Sequence, residues 1–184
     1  MILTISDQHK YRVDGRVVRS VTQIIGDAGL DPNKNFYNDT ACERGSNIHT
    51  ITEDLDRGQP ASIPILDEYR GYLKAYEMFN KFNRPVWNID GIEQAFYNDE
   101  LDYCGCLDRA GTMLWGRKRV NVCLDIKTGI KCGWHGVQLA GYAMKKRYKW
   151  ERFGLYLKAN GKFELKHYTN DGDFETFIKI AKGE

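Results

Sequence analysis

The chain has 184 residues, of which 28% are charged and 42% hydrophobic, and its formal net charge is +2. That profile suits one globular domain with a real core and excludes disordered or collagen-like chains. A charge this small says little about partners, which leaves that question to local clusters. No apolar run approaches the roughly 18 to 20 residues that span a bilayer.

The N-terminus, "MILTISDQHKYRV", lacks a basic start followed by an apolar core, so no signal peptide is expected. Five cysteines is an odd count, which favours reduced thiols and a cytoplasmic protein. A small hairpin is predicted around Asp14-Gly15. Ser20 then reads as a helix N-cap, with Gln23 completing a capping box, and the helix "VTQIIGDAGL" ends near Gly29. Further helices are predicted over 35–43, from Ser46 to Arg57-Gly58, and over 66–82, where Arg84-Pro85 stops the last.

The period then changes. "VWNID", "IEQAFY", "DYCGCLDRA" and "RVNVCLDIK" read as successive strands. A helix is predicted over 134–146. The strands "RFGLYLKA" and "FELKHYT" then form a hairpin around Asn160-Gly161, and a short helix, "FETFIKIA", closes the chain. Helices, a meander, and then strand-helix-strand predict a mixed α/β domain. No linker divides it, so 1–184 is read as one domain: a hairpin and helical part over 1–84, and a sheet and helix over 85–184.

One strand is unusual. "VNVCLDIKTGI" has the apolar character of a buried strand, yet it carries Asp125 and Lys127. Residues two apart on a strand share a face. The two charges therefore project together, while Leu124 and Ile126 face the other layer. If "GTMLWGRKR" is a hairpin loop, Asp108 can stand beside Asp125. Two adjacent buried carboxylates repel, and each is penalised by desolvation. A divalent cation such as Mg²⁺ or Mn²⁺ relieves both effects. The plainer alternative is a buried Asp–Lys ion pair with Asp108 at an exposed strand end.

His49 lies at the edge of its helix's apolar face. A lone histidine there is more often structural, but it can also reach a polar site. Gln138 and Tyr142 are four apart and share a helix face. Lys145, Lys146, Arg147 and Lys149 follow, either as a solvated helix end or as a phosphate-binding surface.

In order, the chain presents R-G-x-x-x-H, E, G-x-L-D, D-I-K-T-G and Q-L-A-G-Y. This series resembles the RecB-like branch of the PD-(D/E)XK nuclease superfamily and is similar to mitochondrial genome maintenance exonucleases. The match runs from about Ser20 to Tyr142. It implies a three-layer restriction-endonuclease-like core, with a mixed central β-sheet flanked by helices and an N-terminal helical segment. By position, His49, Asp108, Asp125 and the carbonyl of Ile126 would hold one or two Mg²⁺, with Mn²⁺ as a substitute. Lys127 would position or activate a water. Glu93 matches an acid of variable role. Arg44, Gln138, Tyr142 and the basic cluster at Lys145, Lys146, Arg147 and Lys149 would contact DNA. Leu107 stands where the family's proline is often found.

The implied activity is an exonuclease acting on DNA ends or single strands with little sequence specificity. A structure-selective endonuclease and a non-catalytic DNA-binding domain are the alternatives. No cysteine follows Cys132, so an iron–sulfur cluster of the kind held by a C-terminal cysteine trio is not expected. Nor is ATP, because no G-x-x-x-x-G-K-[ST] pattern occurs. By analogy, the small size suggests a phage or mobile-element protein in a bacterial host cytoplasm, working with a recombinase, single-strand-binding or replication partner and not with a membrane.

Overall fold

The computed structural model describes residues 1–6, 10–31, 38–144 and 150–184. The predicted hairpin forms from β2 (Tyr11–Val13) and β3 (Arg16–Ser20), with β1 (Leu3–Ile5) added antiparallel beside β2. Asp14 and Gly15 both take positive φ, 48° and 84°, as a tight two-residue hairpin turn requires. Helix α1 (Val21–Asp27) follows directly. Its capping box is complete: Gln23 N–H donates to Ser20 Oγ at 3.1 Å, and Ser20 N–H donates to Gln23 Oε1 at 2.8 Å.

The second and third predicted helices are one helix, α2 (Asp39–Asp56). Asn38 caps it, accepting from Thr40 N–H at 2.8 Å. Ser46 is therefore not the start of a helix but an interior residue, and its carbonyl accepts from the Thr50 hydroxyl. An interior glycine, here Gly45, costs about 0.5–1 kcal/mol, and burial of Ile48 and Ile51 outweighs it. Residues 35–37 of the earlier predicted helix lie outside the described residues. Helix α3 (Arg70–Asn83), entered through a 3₁₀ turn at Asp67–Tyr69, ends where Arg84 turns left-handed before Pro85.

The strands "VWNID" and "IEQAFY" are also one element, β4 (Val86–Asn98). Gly91 is not a break but the centre of an irregularity. The register against β5 (Tyr103–Trp115) shifts between Trp87 and Ile92. A Cβ on Gly91 would stand 2.7 Å from the Ala110 carbonyl oxygen, so only glycine fits this close approach. Likewise, "GTMLWGRKR" is mostly strand: β5 and β6 (Lys118–Lys127) run on to a turn at residues 116–117.

Helix α4 (His135–Ala143) crosses over to β7 (Glu151–Leu157), which lies parallel to β6. The β7–β8 hairpin, with β8 at Phe163–Tyr168, turns through Gly161, and α5 (Gly172–Lys182) closes the chain. The result is α/β, with a mixed eight-stranded sheet ordered β1-β2-β3-β5-β6-β7-β8 and β4 on the free edge of β5.

Helices cover both faces. Ile48, Ile51, Tyr76 and Phe79 of α2 and α3 pack on Leu124, Ile126, Phe153 and Leu155. Ile24, Leu139, Ala140 and Phe177 of α1, α4 and α5 pack on Tyr103, Ala110 and Cys123. Among the described residues no helix is long and apolar enough to cross a membrane.

One feature of the sheet positions the site. β4 flanks one edge of β5 along its length, while β3 and β6 share the other. β3 reaches only to Cys104, and β6 pairs only from Arg109 onward. Among the described residues, 105–108 have no strand neighbour on that edge. Asp108 stands at the mouth of this opening.

Candidate functional site

Three acids form a row across three strands. The β4–β5 register pairs Ile92 with Arg109 and Gln94 with Leu107, which sets Glu93 opposite Asp108. The β5–β6 register pairs Arg109 with Leu124, which continues to Asp108 opposite Asp125. Asp108 and Asp125 are buried; Glu93 is half-buried and holds a left-handed φ of 48°. Such a conformation costs on the order of 1–3 kcal/mol in a residue with a side chain and persists only where its surroundings over-determine it.

His49, from α2, completes the cluster. Its Nε2 lies 3.0 Å from the Ile126 carbonyl oxygen. A carbonyl can only accept, so Nε2 carries the hydrogen and donates. Nδ1 therefore faces the carboxylates, 3.6 Å from Glu93 Oε1 and 3.7 Å from Asp108 Oδ2. The Ile126 carbonyl thus anchors the ring, while the Ile126 N–H donates to Asp108 Oδ2 at 2.5 Å. One peptide segment fixes both side chains.

Lys127 Nζ lies 2.7 Å from Asp125 Oδ2 and 2.9 Å from its Oδ1. Asp125 and Lys127 do form the ion pair that the plainer reading expects, and the pair also faces the cleft. On α4, Gln138 Nε2 donates to Tyr142 Oη at 3.0 Å, and Gln138 Oε1 is buried with no partner. His49, Glu93, Asp108, Asp125, Lys127, Gln138 and Tyr142 all line a single cleft of about 680 Å³.

Charge in this cleft is unbalanced. Its described lining carries Glu53, Glu93, Asp108 and Asp125 against Lys127. Burial pushes the Asp108 carboxyl above the usual range; His49 pulls it back and Glu93 pushes it further. Burial likewise raises Asp125, opposed by Lys127. For His49, burial works against the charged ring, but Asp108 and Glu93 outweigh it and lift the pKa to about 9. A proton on Nδ1 is then the local counter-charge.

A divalent cation fits the same place. Single ligand atoms of His49, Glu93 and Asp108 all lie within 4.8 Å of one another. Two carboxylates and an imidazole are donors that a divalent cation can take. The trio brings in Glu93; of the other expected ligands, Asp125 engages Lys127 and the Ile126 carbonyl accepts from His49.

Arg44 is not brought into the cleft; its guanidinium sits 5.5 Å from the centre of the Tyr72 ring. Lys145, Lys146, Arg147 and Lys149 lie outside the described residues. Conversely, Ser46, Thr50 and Glu53 line the cleft beside His49. Their spacing along α2 is helical, and the predicted helix from Ser46 already contained it. Cys106 lines the cleft too, its thiol 3.8 Å from Glu93 Oε2. Arg109 gave no sequence signal beyond its place after Asp108.

No protein-family model matches the chain, and no curated protein matches it either.

Proposed function

We propose that the protein is a metal-dependent deoxyribonuclease of the PD-(D/E)XK type that hydrolyses phosphodiester bonds, as an exonuclease on DNA ends or single strands. The observation that carries this reading is the meeting of His49, Glu93, Asp108, Asp125 and Lys127 in one cleft, from elements far apart in sequence. The α/β sheet with helices on both faces, and the order of the motifs along the chain, support the same reading.

When bound, a divalent cation supplies Lewis-acid polarisation of a phosphoryl oxygen and a more acidic water. His49 Nδ1, Glu93 and Asp108 are the residues that would hold it. Asp125 holds the Lys127 ammonium beside them. An ammonium has three donors, so Lys127 keeps protons for a phosphoryl oxygen and stabilises negative charge as it grows there. Gln138 Oε1, a buried acceptor without a partner, can orient a water or a nucleotide donor. Tyr142 lines the same cleft.

The test is incubation of end-labelled linear and circular single-stranded DNA with Mg²⁺, with EDTA as control. Loss of linear DNA alone is expected. Cut circles would make the enzyme an endonuclease. A mobility shift without cutting would make it a binding domain, and full activity in EDTA would remove the metal from the mechanism.

A further inference from the structure

Behind the three candidate ligands lies a second, largely buried layer that the proposed reaction does not use. Its centre is Arg109, with no exposed side-chain surface. Strand alternation turns Arg109 away from the cleft that Asp108 faces. Its guanidinium makes four bonds. Nε donates to Asp56 Oδ2 at 2.5 Å, NH1 to Glu93 Oε1 at 2.8 Å and to the Asp108 carbonyl at 2.7 Å, and NH2 to Thr52 Oγ1 at 3.2 Å. Thr52 Oγ1 in turn donates to the His49 carbonyl at 3.0 Å. Tyr76 Oη, from α3, donates to the same Asp56 oxygen at 2.5 Å.

These bonds converge on all three ligand-bearing segments. Glu93 is held by its carboxylate, Asp108 by its main chain, and His49 through its own helix, at Thr52 and Asp56. A buried guanidinium is costly unless its donors are satisfied, and its planar fork fixes direction as well as distance. Glu93 also holds the strained φ of 48° noted above. Its bond to Arg109 is one of the contacts that keeps it there. A core cation with no task toward the cleft could be satisfied by carbonyls alone. This one spends a donor on a half-buried carboxylate of the candidate site.

We infer that Arg109 is a positioning residue: with Asp56 and Tyr76 behind it, it sets His49, Glu93 and Asp108 at cation-binding separation before any cation arrives. The inference rests on the nuclease reading for its purpose, but it concerns cation binding and can be tested without DNA. Outer partners of metal ligands, when altered, weaken metal affinity by about 10- to 100-fold.

The experiment is Mn²⁺ titration of purified protein followed by electron paramagnetic resonance, with far-UV circular dichroism and a thermal melt on each variant. Glu93→Gln is the control for the site. Arg109→Lys keeps the charge but loses the fork, and should weaken Mn²⁺ binding about 10-fold or more. Arg109→Lys is a core change that puts folding at risk, so Asp56→Asn and Tyr76→Phe carry the inference independently. Both lie outside the cleft lining, and each should weaken Mn²⁺ binding several-fold in folded protein. Cleavage by these two variants should recover toward the wild-type maximum at high Mn²⁺, so the metal half-saturation moves and kcat does not.

Unchanged Mn²⁺ affinity in folded Asp56→Asn and Tyr76→Phe, with Glu93→Gln impaired, would overturn the positioning role and leave the nuclease reading intact. Wild-type protein that binds no Mn²⁺ would overturn both. Normal Mn²⁺ binding and its predicted weakening, without DNA cleavage, would support the positioning role and count against the nuclease alone.

Discussion

Two buried arginines sit in networks of different charge balance. Arg152, on β7, donates to the Gly136 carbonyl at 3.0 Å, the Asn170 carbonyl at 2.7 Å and Asp173 Oδ2 at 3.0 Å, and lies 4.5 Å from the centre of the Phe174 ring. It ties α4 and α5 to the sheet, and one cation meets one carboxylate among neutral carbonyls. Arg109 meets two carboxylates, Asp56 and Glu93, and Asp108 and Asp125 stand close behind. The first network is balanced and closed. The second has more acid than fixed cation, and its surplus faces a cleft. Local neutrality is what a fold needs; a surplus of buried acid is destabilising by itself and makes sense where another cation is to be bound.

The largest expected effect lies on the acid-rich side. Asp108→Asn should lower DNA cleavage by several orders of magnitude in single-turnover assays, because it removes a candidate ligand. The Ile126 N–H keeps an acceptor in the remaining amide oxygen, so the protein should stay folded. Near-normal cleavage by this variant would erase the distinction between the two networks.

Arg152→Ala should act on the other side. It strands Asp173 and two carbonyls, and should cost about 3–5 kcal/mol of stability in denaturant unfolding. At temperatures where the variant is folded, cleavage should stay within a few-fold of wild type. A selective loss of activity at full stability would show that Arg152 also serves the cleft.

A smaller effect tests the surplus directly. The folded pKa values of Asp108 and Asp125 are raised. For an acid of this kind, the stabilising contribution is present at low pH and lost as pH rises through the folded pKa. At neutral pH both carboxylates therefore weigh against the metal-free fold. Mn²⁺ at 100 times its Kd should add about 2.7 kcal/mol, seen as a rise of roughly 5–10 °C in the melting temperature of a domain this size. The rise should be lost in Asp108→Asn. In EDTA, Asp125→Asn should melt no lower than wild type, since it removes a buried charge and leaves Lys127 partly exposed to water. A strong loss of stability would make Asp125 and Lys127 a pair that serves only the fold.

The smallest effect concerns His135, at the start of α4. Burial lowers its pKa to about 4 from an ordinary 6.5, helped by Lys127. Its Nδ1 accepts from Tyr156 Oη at 2.6 Å, and that hydroxyl meets Tyr168 Oη at 2.6 Å. The unfolded ring protonates first, so the stability from neutral His135 is present above pH 6.5 and is lost as pH falls toward 4. His135→Gln should flatten that part of the stability-against-pH curve. An unchanged slope would place the acid sensitivity in other groups.

What the sequence determined by itself is local. The capping box at Ser20 and Gln23, the Asp14-Gly15 turn and the Asn160-Gly161 hairpin were legible because each is settled by backbone chemistry within a few residues. Alternation within 120–127 likewise put Asp125 and Lys127 on one face, opposite Leu124 and Ile126. Punctuation was less reliable. Gly45-Ser46 and Gly91 look like breaks, yet α2 and β4 run through them, because burial of Ile48 and Ile51 and the close approach at Ala110 outweigh local preference.

The candidate cation trio was decided only in three dimensions. Glu93 reaches Asp108 because the register of β4 shifts between Trp87 and Ile92, a slip whose place Gly91 marks but whose size it does not give. Arg109 meets Asp56 and Tyr76 because α2 and α3 cover one face of the sheet. Side-chain chemistry can be read along a chain, but the distance between two charges is set by strand register and helix packing, which belong to the whole fold.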